Sequence, residues 1–435
     1  MSPYRLDPKS SRGPRGYRVA PHIGRGSGWT HQRVPRAMAG PQSSRWSERQ
    51  CGSDGAIAGR VCRNRIDLES NTQVKAAIHL SKILFLLTIL LISLTGCTAA
   101  RTKETPKPSP APSPTPAPIP ESPSYRVSIW APYLGFLEQQ TLTDNAGVIR
   151  EVNFFWYELA ADGEIKGAMQ SKEGLQIARE AGMSIIPSIL NGGFDRERVA
   201  TIIHDPERRA AHIDAIVQLV VEHDYDGIDI DYESLYAEDR EAFTTFIVDL
   251  AAALHAQDKL LSTTVHPKMR EGGAWGGPQA QDWEKLGAVS DEFKIMIYDY
   301  HHGASESGPI APLDWADLVL TYAKTQVVPT KIFMGIPFYG YDWVGSTGES
   351  IEWRQAVKRA KRYNAEVQRD ENSGEAWFLY DDGRHTVYYN DAQTLRGRLR
   401  MMLEKHPDIA GVSIWRLGGE DPKNWTVLND MLDWK

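Results

Sequence analysis

From residue 125 onward the sequence predicts an α/β fold: a (β/α)8 TIM barrel with a small α+β insertion between strands 7 and 8. Three observations predict it. Eight short apolar runs recur along residues 125–435. Helix-like stretches, apolar at i, i+3 and i+4, separate most of them. No Gly-rich phosphate loop follows the first run, which weighs against the runner-up, an open doubly wound sheet.

The runs, in order, are YRVSIWAPYL (125–134), EVNFFWYEL (151–159), MSIIPSILN (183–191) and GIDIDYE (227–233). LLSTTVHP (260–267), FKIMIYDY (293–300), KIFMGIPFYG (331–340) and GVSIWRLG (411–418) complete the eight. RRAAHIDAIVQLVVEH (208–223) and REAFTTFIVDLAAALHA (240–256) carry the helical period. The gap before the last run is too long for one helix. Within it, EAWFLYDDGRHTVYYND (375–391) has two aromatic-rich halves around Asp382-Gly383, the signature of a hairpin. The insertion is placed at about 341–410, as one wall of a groove on the barrel rim.

The part before residue 125 is of a different kind. Residues 1–96 hold 15 Lys and Arg against 5 Asp and Glu, a balance of +10. Of the chain's 49 and 56, this leaves 34 against 51, a balance of −17 for the remainder. So acidic a body argues against a nucleic-acid partner. The three cysteines, Cys51, Cys62 and Cys97, all precede the barrel. It therefore has no disulfide and no thiolate chemistry.

Residues 1–73 are rich in Arg, Gly, Ser and Pro without apolar period and read as disordered or untranslated. A start near Val74 would give a conventional leader; a genuine cytoplasmic basic arm is the alternative. Residues 74–97 read as a signal peptide: Lys75 and Lys82 precede the apolar run Ile83–Leu94, short of the ~20 residues a spanning helix needs. The run ends in LTGC (94–97), which resembles the bacterial lipobox and implies lipidation of Cys97. The plainer alternative is a buried helix that stops at a cysteine. Residues 98–124 are a Pro-rich linker, an extended spacer. The expectation is an extracytoplasmic monomer, lipid-anchored to a bacterial membrane.

The chemistry lies in the fourth run. Asp229, Asp231 and Glu233 alternate along it and share one face, opposite Ile228, Ile230 and Tyr232. Like-faced neighbours on a strand lie ~6–7 Å apart. Three carboxylates at that spacing in a cleft retain a proton near neutral pH, as a general acid requires. In a barrel the active residues gather at the C-terminal ends of strands. Tyr298 and Asp299 lie on the sixth run, and Trp415 on the eighth. The acid row is therefore expected to form the floor of a site. A Mg²⁺ or Ca²⁺ site is the competing reading of the acids, weakened by the lack of a nearby histidine pair. His266 is expected to be structural, and Trp130, Trp156, Tyr157 and Tyr339 are groove candidates that spacing alone does not separate from core.

DGIDIDYE (226–233) resembles the D-G-x-D-x-D-x-E signature of glycoside hydrolase family 18, the chitinase family. MIYDYH (296–301), GIPFYG (335–340) and GVSIWRLGGEDPKNW (411–425) resemble its sixth, seventh and eighth strands. With GPIAPLDW (308–315), the last segment is most similar to the spore-germination and peptidoglycan-hydrolysing branch. The resemblance covers 125–435 and implies substrate-assisted, retaining hydrolysis beside N-acetylglucosamine, without a cofactor or metal. It implies Glu233 as proton donor, Asp231 and Asp229 as its partners, and Tyr298 as the hydroxyl holding the acetamido group. Trp415, Asp299, Met296 and Tyr339 would then bind the sugar. A sugar-binding protein without turnover is the second functional reading, opposed by the intact Glu233. One departure stands out: where many members carry Ser-x-Gly-Gly on the third strand, this chain has Ser188 followed by Leu190-Asn191 before Gly192-Gly193. Contacts from that strand are left in doubt.

Overall fold

Period-two alternation gives each run one face toward surrounding helices and one toward the barrel axis. The structure, a computed structural model, describes residues 125–432. The expected extension, leader, Cys97 and Pro-rich linker lie outside the described residues. The eight barrel strands are β1 Arg126–Ala131, β2 Glu151–Phe154, β3 in two segments (Ser184–Ile185 and Ser188–Leu190) and β4 Gly227–Asp231. They continue with β5 Leu260–Val265, β6 Glu292–Ile295, β7 Ile332–Pro337 and β8 Gly411–Trp415.

All neighbouring strands pair in parallel, and β8 returns to β1. The ring closes through the broken strand. Ser184–Ile185 pairs with β2, and Ser188–Leu190 pairs with β4. Pro187 sits at the break, where it has no N–H to offer. Ile186 N still donates to Val152 O at 3.1 Å, and Pro187 O accepts from Asp229 N at 2.9 Å. The second run is shorter than its sequence suggests. It breaks after Phe154; Tyr157–Leu159 resumes in parallel beside Ser188–Leu190 and also forms a small hairpin with Ile165–Gly167.

Helices seal the outer face. Asp205 caps the helix Pro206–Glu222 by accepting from Glu207 N and Arg208 N, with Pro206 at the first turn. Its Ile213, Ile216 and Val220 are buried, as are Phe243, Phe246, Ile247, Leu250 and Leu254 of Arg240–His255. These side chains join the outward residues of the strands in one apolar cluster.

The insertion differs in its limits from the expected 341–410. Its antiparallel sheet begins at Tyr339: Tyr339–Val344 pairs with Thr347–Glu352 and with His385–Tyr389. The expected hairpin is present, Ala376–Tyr380 against His385–Tyr389, with Asp381, Asp382 and Gly383 all at positive φ in its turn. The helix Ala392–Lys405 belongs elsewhere. Its Leu395, Leu399 and Met402 are buried in the main apolar cluster, so it is part of the barrel's outer layer.

Candidate active site

β4 ends at Asp231, so the three acids do not occupy one continuous strand face. They descend in exposure from the mouth inward. The Glu233 side chain is 22% exposed, whereas Asp231 is 4% and Asp229 is 0% exposed. The sequence placed all three on the floor of the site; Asp229 is instead sealed inside the barrel. The reason is local. Three other strands supply its donors: Ser188 Oγ of β3 at 2.7 Å, Ser262 Oγ and Thr264 Oγ1 of β5 at 2.7 Å and 2.9 Å, and Trp130 Nε1 of β1 at 3.2 Å. A buried carboxylate with that many donors is stabilised rather than stranded. The contact in doubt on the third strand is therefore present, through Ser188.

Asp231 has no such complement. Its Oδ1 is buried without a hydrogen-bond partner among the described residues. Burial, then the charges of Glu233 and Asp229, push its pKa well above the carboxylate range, opposed by Lys294. Burial, then the charge of Asp299, raises Glu233 to about 8. Glu233 thus holds a proton at neutral pH at the entrance to the barrel.

The Glu233 backbone is fixed from the third strand. Asn191 Nδ2 donates to Glu233 O at 2.7 Å, and Glu233 N donates to Asn191 Oδ1 at 3.2 Å. The unexpected asparagine of SILNGGF is therefore a two-point clamp on the acid's main chain. His266, expected to be structural, lies with Nε2 3.9 Å from Glu233 Oε2 and accepts from Ser234 N at 3.4 Å. Burial lowers its pKa to about 4, so it faces Glu233 as a neutral imidazole. Strand alternation over Ser262, Thr264 and His266 is the signal that would have placed it here.

Tyr298 and Asp299 follow the end of β6 rather than lying on it. Tyr298 is half-buried, its hydroxyl pKa raised by burial and then by the charge of Asp231. Asp299 is exposed, with φ 60°, and its Oδ1 accepts from Tyr339 Oη and, at 3.1 Å, from Tyr341 Oη. Burial of its carboxyl group under those rings raises its pKa to about 6 against the two hydrogen bonds. Tyr341 had no distinguishing sequence signal. Tyr339 and Trp343 form a small aromatic cluster with Ile310, against which Tyr298, Tyr341 and Trp415 pack. Trp415 ends β8 half-exposed, 4.9 Å from Phe155 and 6.2 Å from Trp130 between ring centroids. Met296, just past the end of β6, is buried outside the main apolar cluster. The chain thus gathers Glu233, Asp231, Tyr298, Asp299, Tyr339, Met296 and Trp415 at one end of the barrel.

Below that mouth lies a group absent from the sequence reading. Lys294, fully buried, sets Nζ 2.5 Å from Glu151 Oε1, 3.1 Å from Asn153 Oδ1 and 3.2 Å from Glu292 Oε2. Glu292 also pairs with Arg126 at 2.5 Å. The inward faces of β2 and β6 are thus charged where barrels usually place Val, Ile and Leu.

Residues 135–420 match the family model described as glycosyl hydrolases family 18. The cortical fragment-lytic enzyme of Bacillus anthracis is 29% identical over 287 residues, covering 63% of this chain and 66% of that protein. The chain therefore spans about two-thirds of that relative's length. The structure of the spore cortex-lytic enzyme SleL from Bacillus cereus superposes with a TM-score of 0.66 at 25% identity, covering 72% of this chain and 75% of that one. A chitinase from Chromobacterium violaceum gives the same TM-score of 0.66 and 25% identity, with 72% of this chain and all of that chain covered.

Proposed function

We propose, for a chain that belongs to glycosyl hydrolases family 18, hydrolysis of β-1,4 bonds next to N-acetylglucosamine with retention, in peptidoglycan or chitin-like oligosaccharides. Glu233 protonates the glycosidic oxygen. The substrate's own acetamido oxygen attacks C1 as that bond breaks, forming an oxazolinium ion. Asp231 accepts the acetamido N–H, and the Tyr298 hydroxyl donates to the carbonyl oxygen and holds it under C1. Asp229, held by its donors from three other strands, stands behind Asp231. Water then opens the ring with Glu233 as base. Trp415 forms the apolar platform beneath the sugar, flanked by Met296, Tyr339 and Asp299.

The observation carrying this reading is the open Oδ1 of Asp231, a buried acceptor with no donor among the described residues, beside a protonated acid. Relatives named for cortex lysis favour a peptidoglycan substrate. The test is to digest acetylated and de-N-acetylated oligomers of both polymers side by side, with mass analysis of the products. Only acetylated chains are expected to be cut; equal cleavage of deacetylated ones overturns the reading.

The proposal extends to location: lipidation of Cys97 on the cell surface or periplasmic face, with residues 98–124 as spacer. Its support is the residue pattern of 82–97 alone. Cys97→Ala is expected to lose incorporation of a labelled fatty acid and to leave the membrane fraction; retained label refutes the anchor.

A further inference from the structure

The barrel interior is stacked in polar layers, and strand register shows how they touch. In the upper layer Trp130, Ser188, Ser262 and Thr264 surround Asp229. In the layer beneath, Ser128, Glu151, Asn153 and Lys294 are joined: Ser128 Oγ lies 2.8 Å from Glu151 Oε1 and 2.7 Å from Asn153 Oδ1. Two strand pairs connect the layers. Thr264, which donates to Asp229, is the register partner of Lys294. Trp130, which also donates to Asp229, is the register partner of Asn153, whose Oδ1 accepts from Lys294. The ammonium therefore stands one step from Asp229 along two separate routes.

Every charged group that meets this ammonium can be named. Glu151 comes from β2 and Glu292 from β6 itself, with Arg126 of β1 behind Glu292. Asp229 of β4 faces it from above; Thr264 of β5 and Phe333 of β7 bring no charge. Asp231 in turn meets Glu233, Asp229 and Lys294. Tyr298 stands on the β6 side, with Asp299 and His266 beside Glu233.

We propose that Lys294 is a positioning residue for the acid row: sealed one layer below Asp229, it is the fixed positive charge against which Asp229 and Asp231 are held, and it thereby sets how the proton is shared at the mouth. Glu151 moderates it. Burial pulls the Lys294 ammonium toward neutrality, and the carboxylates of Glu151 and Glu292 outweigh that pull and keep it charged. Among side chains as deeply buried as Glu151, Asn153 and Asp229, a unit charge acts over several ångströms.

The kinetic part of this inference rests on the hydrolase reading above; the titration part does not. Two variants move the charge in opposite directions. Glu151→Gln keeps the hydrogen-bonding shape and leaves Lys294 less compensated. The double variant Lys294→Met/Glu151→Gln removes the pair together, so that Glu151 is not stranded. The carboxyl carbons of ¹³C-labelled aspartate are followed by NMR against pH, with Asp231 assigned from Asp231→Asn. Its titration is expected to move down by ~0.5–1 pH unit in Glu151→Gln and up by a similar amount in the double variant. Lys294→Arg, which keeps the charge, is expected to restore the wild-type midpoint. The pH curve of kcat/KM on an N-acetylated oligomer should move in the same two directions.

A merely structural Lys294 predicts a lower Tm with the Asp231 midpoint unmoved, and that result overturns the proposal. If the double variant does not fold, Glu151→Gln decides alone: a downward shift supports the proposal and none refutes it. If no substrate is cut while the midpoints move as described, the hydrolase reading fails and the assignment of Lys294 stands.

Discussion

Two buried carboxylates, one in the barrel and one in the insertion, have had opposite treatment. Glu375, at the edge of the insertion sheet, is 0% exposed and accepts from Ile310 N at 2.7 Å, Ala311 N at 2.8 Å and Arg398 Nη2 at 2.7 Å. Asp231 is nearly as deep and leaves Oδ1 without a donor. Burial raises both; at Glu375 a guanidinium and two backbone N–H groups oppose it, whereas at Asp231 two further carboxylates add to it and Lys294 alone opposes them. Depth alone therefore does not mark a reactive acid. The supply of donors does, and it separates an acid that staples a fold from one reserved for a substrate.

The largest effect that would break this contrast is at Glu233, the protonated neighbour of Asp231. Glu233→Gln is expected to lower kcat on N-acetylated oligomers by ~10²–10⁴-fold, the usual worth of a general acid. The same change should stabilise the protein. A folded pKa of about 8 against 4.5 means the folded state keeps a proton that the unfolded chain has released, so stability falls as pH rises through that window. Removing the group recovers up to about 3 kcal/mol at pH 7, readable as a raised Tm. An active or destabilised variant would place Glu233 with the structural acids.

Arg398→Met tests the other member of the pair. It strands Glu375 and should cost ~3–5 kcal/mol in denaturant unfolding while the pH optimum stays where it was. A moved optimum would mean the insertion's acid is wired to the site. Asn191→Ala comes next. Without its clamp on the Glu233 main chain, kcat should fall by ~10-fold or more at little changed KM. The smallest effect is at the rim. Tyr341→Phe removes a donor that lowers the Asp299 pKa, so Asp299 is less charged near pH 6–7 and raises Glu233 less. The alkaline limb of kcat/KM should move down by a fraction of a pH unit.

Legibility followed the range of the interactions. The acid row could be read because alternation on one strand is local, and the eight strands because each has its own apolar period. Trp415 and Tyr298 followed once a barrel was assumed, since strand ends converge. What the sequence could not show was enclosure. Asp229 lies in the interior because Ser188, Ser262, Thr264 and Trp130 arrive from three other strands, and each is unremarkable in its own run. Lys294 was missed for the same reason, although Glu292, Lys294, Met296 and Tyr298 alternate as plainly as the acids do. Asn191 was noticed only as a mismatch in a motif; its role depends on a partner 42 residues away.

The insertion leaves and rejoins the barrel at nearly one point. Asn390 Nδ2 donates to Tyr339 O at 2.9 Å, and Asn390 N donates to the same carbonyl at 3.3 Å. Phe338 N, one residue earlier, is tied to Trp415 O at 2.6 Å at the end of β8. A clasp at the root frees everything beyond it from any duty to span a distance. Chain can be added to or trimmed from the far side, deepening or lowering the wall of the groove, while the eight-strand ring and its buried charges feel no change. The reach of the enzyme along its polymer is thereby separated from the machinery that cuts it.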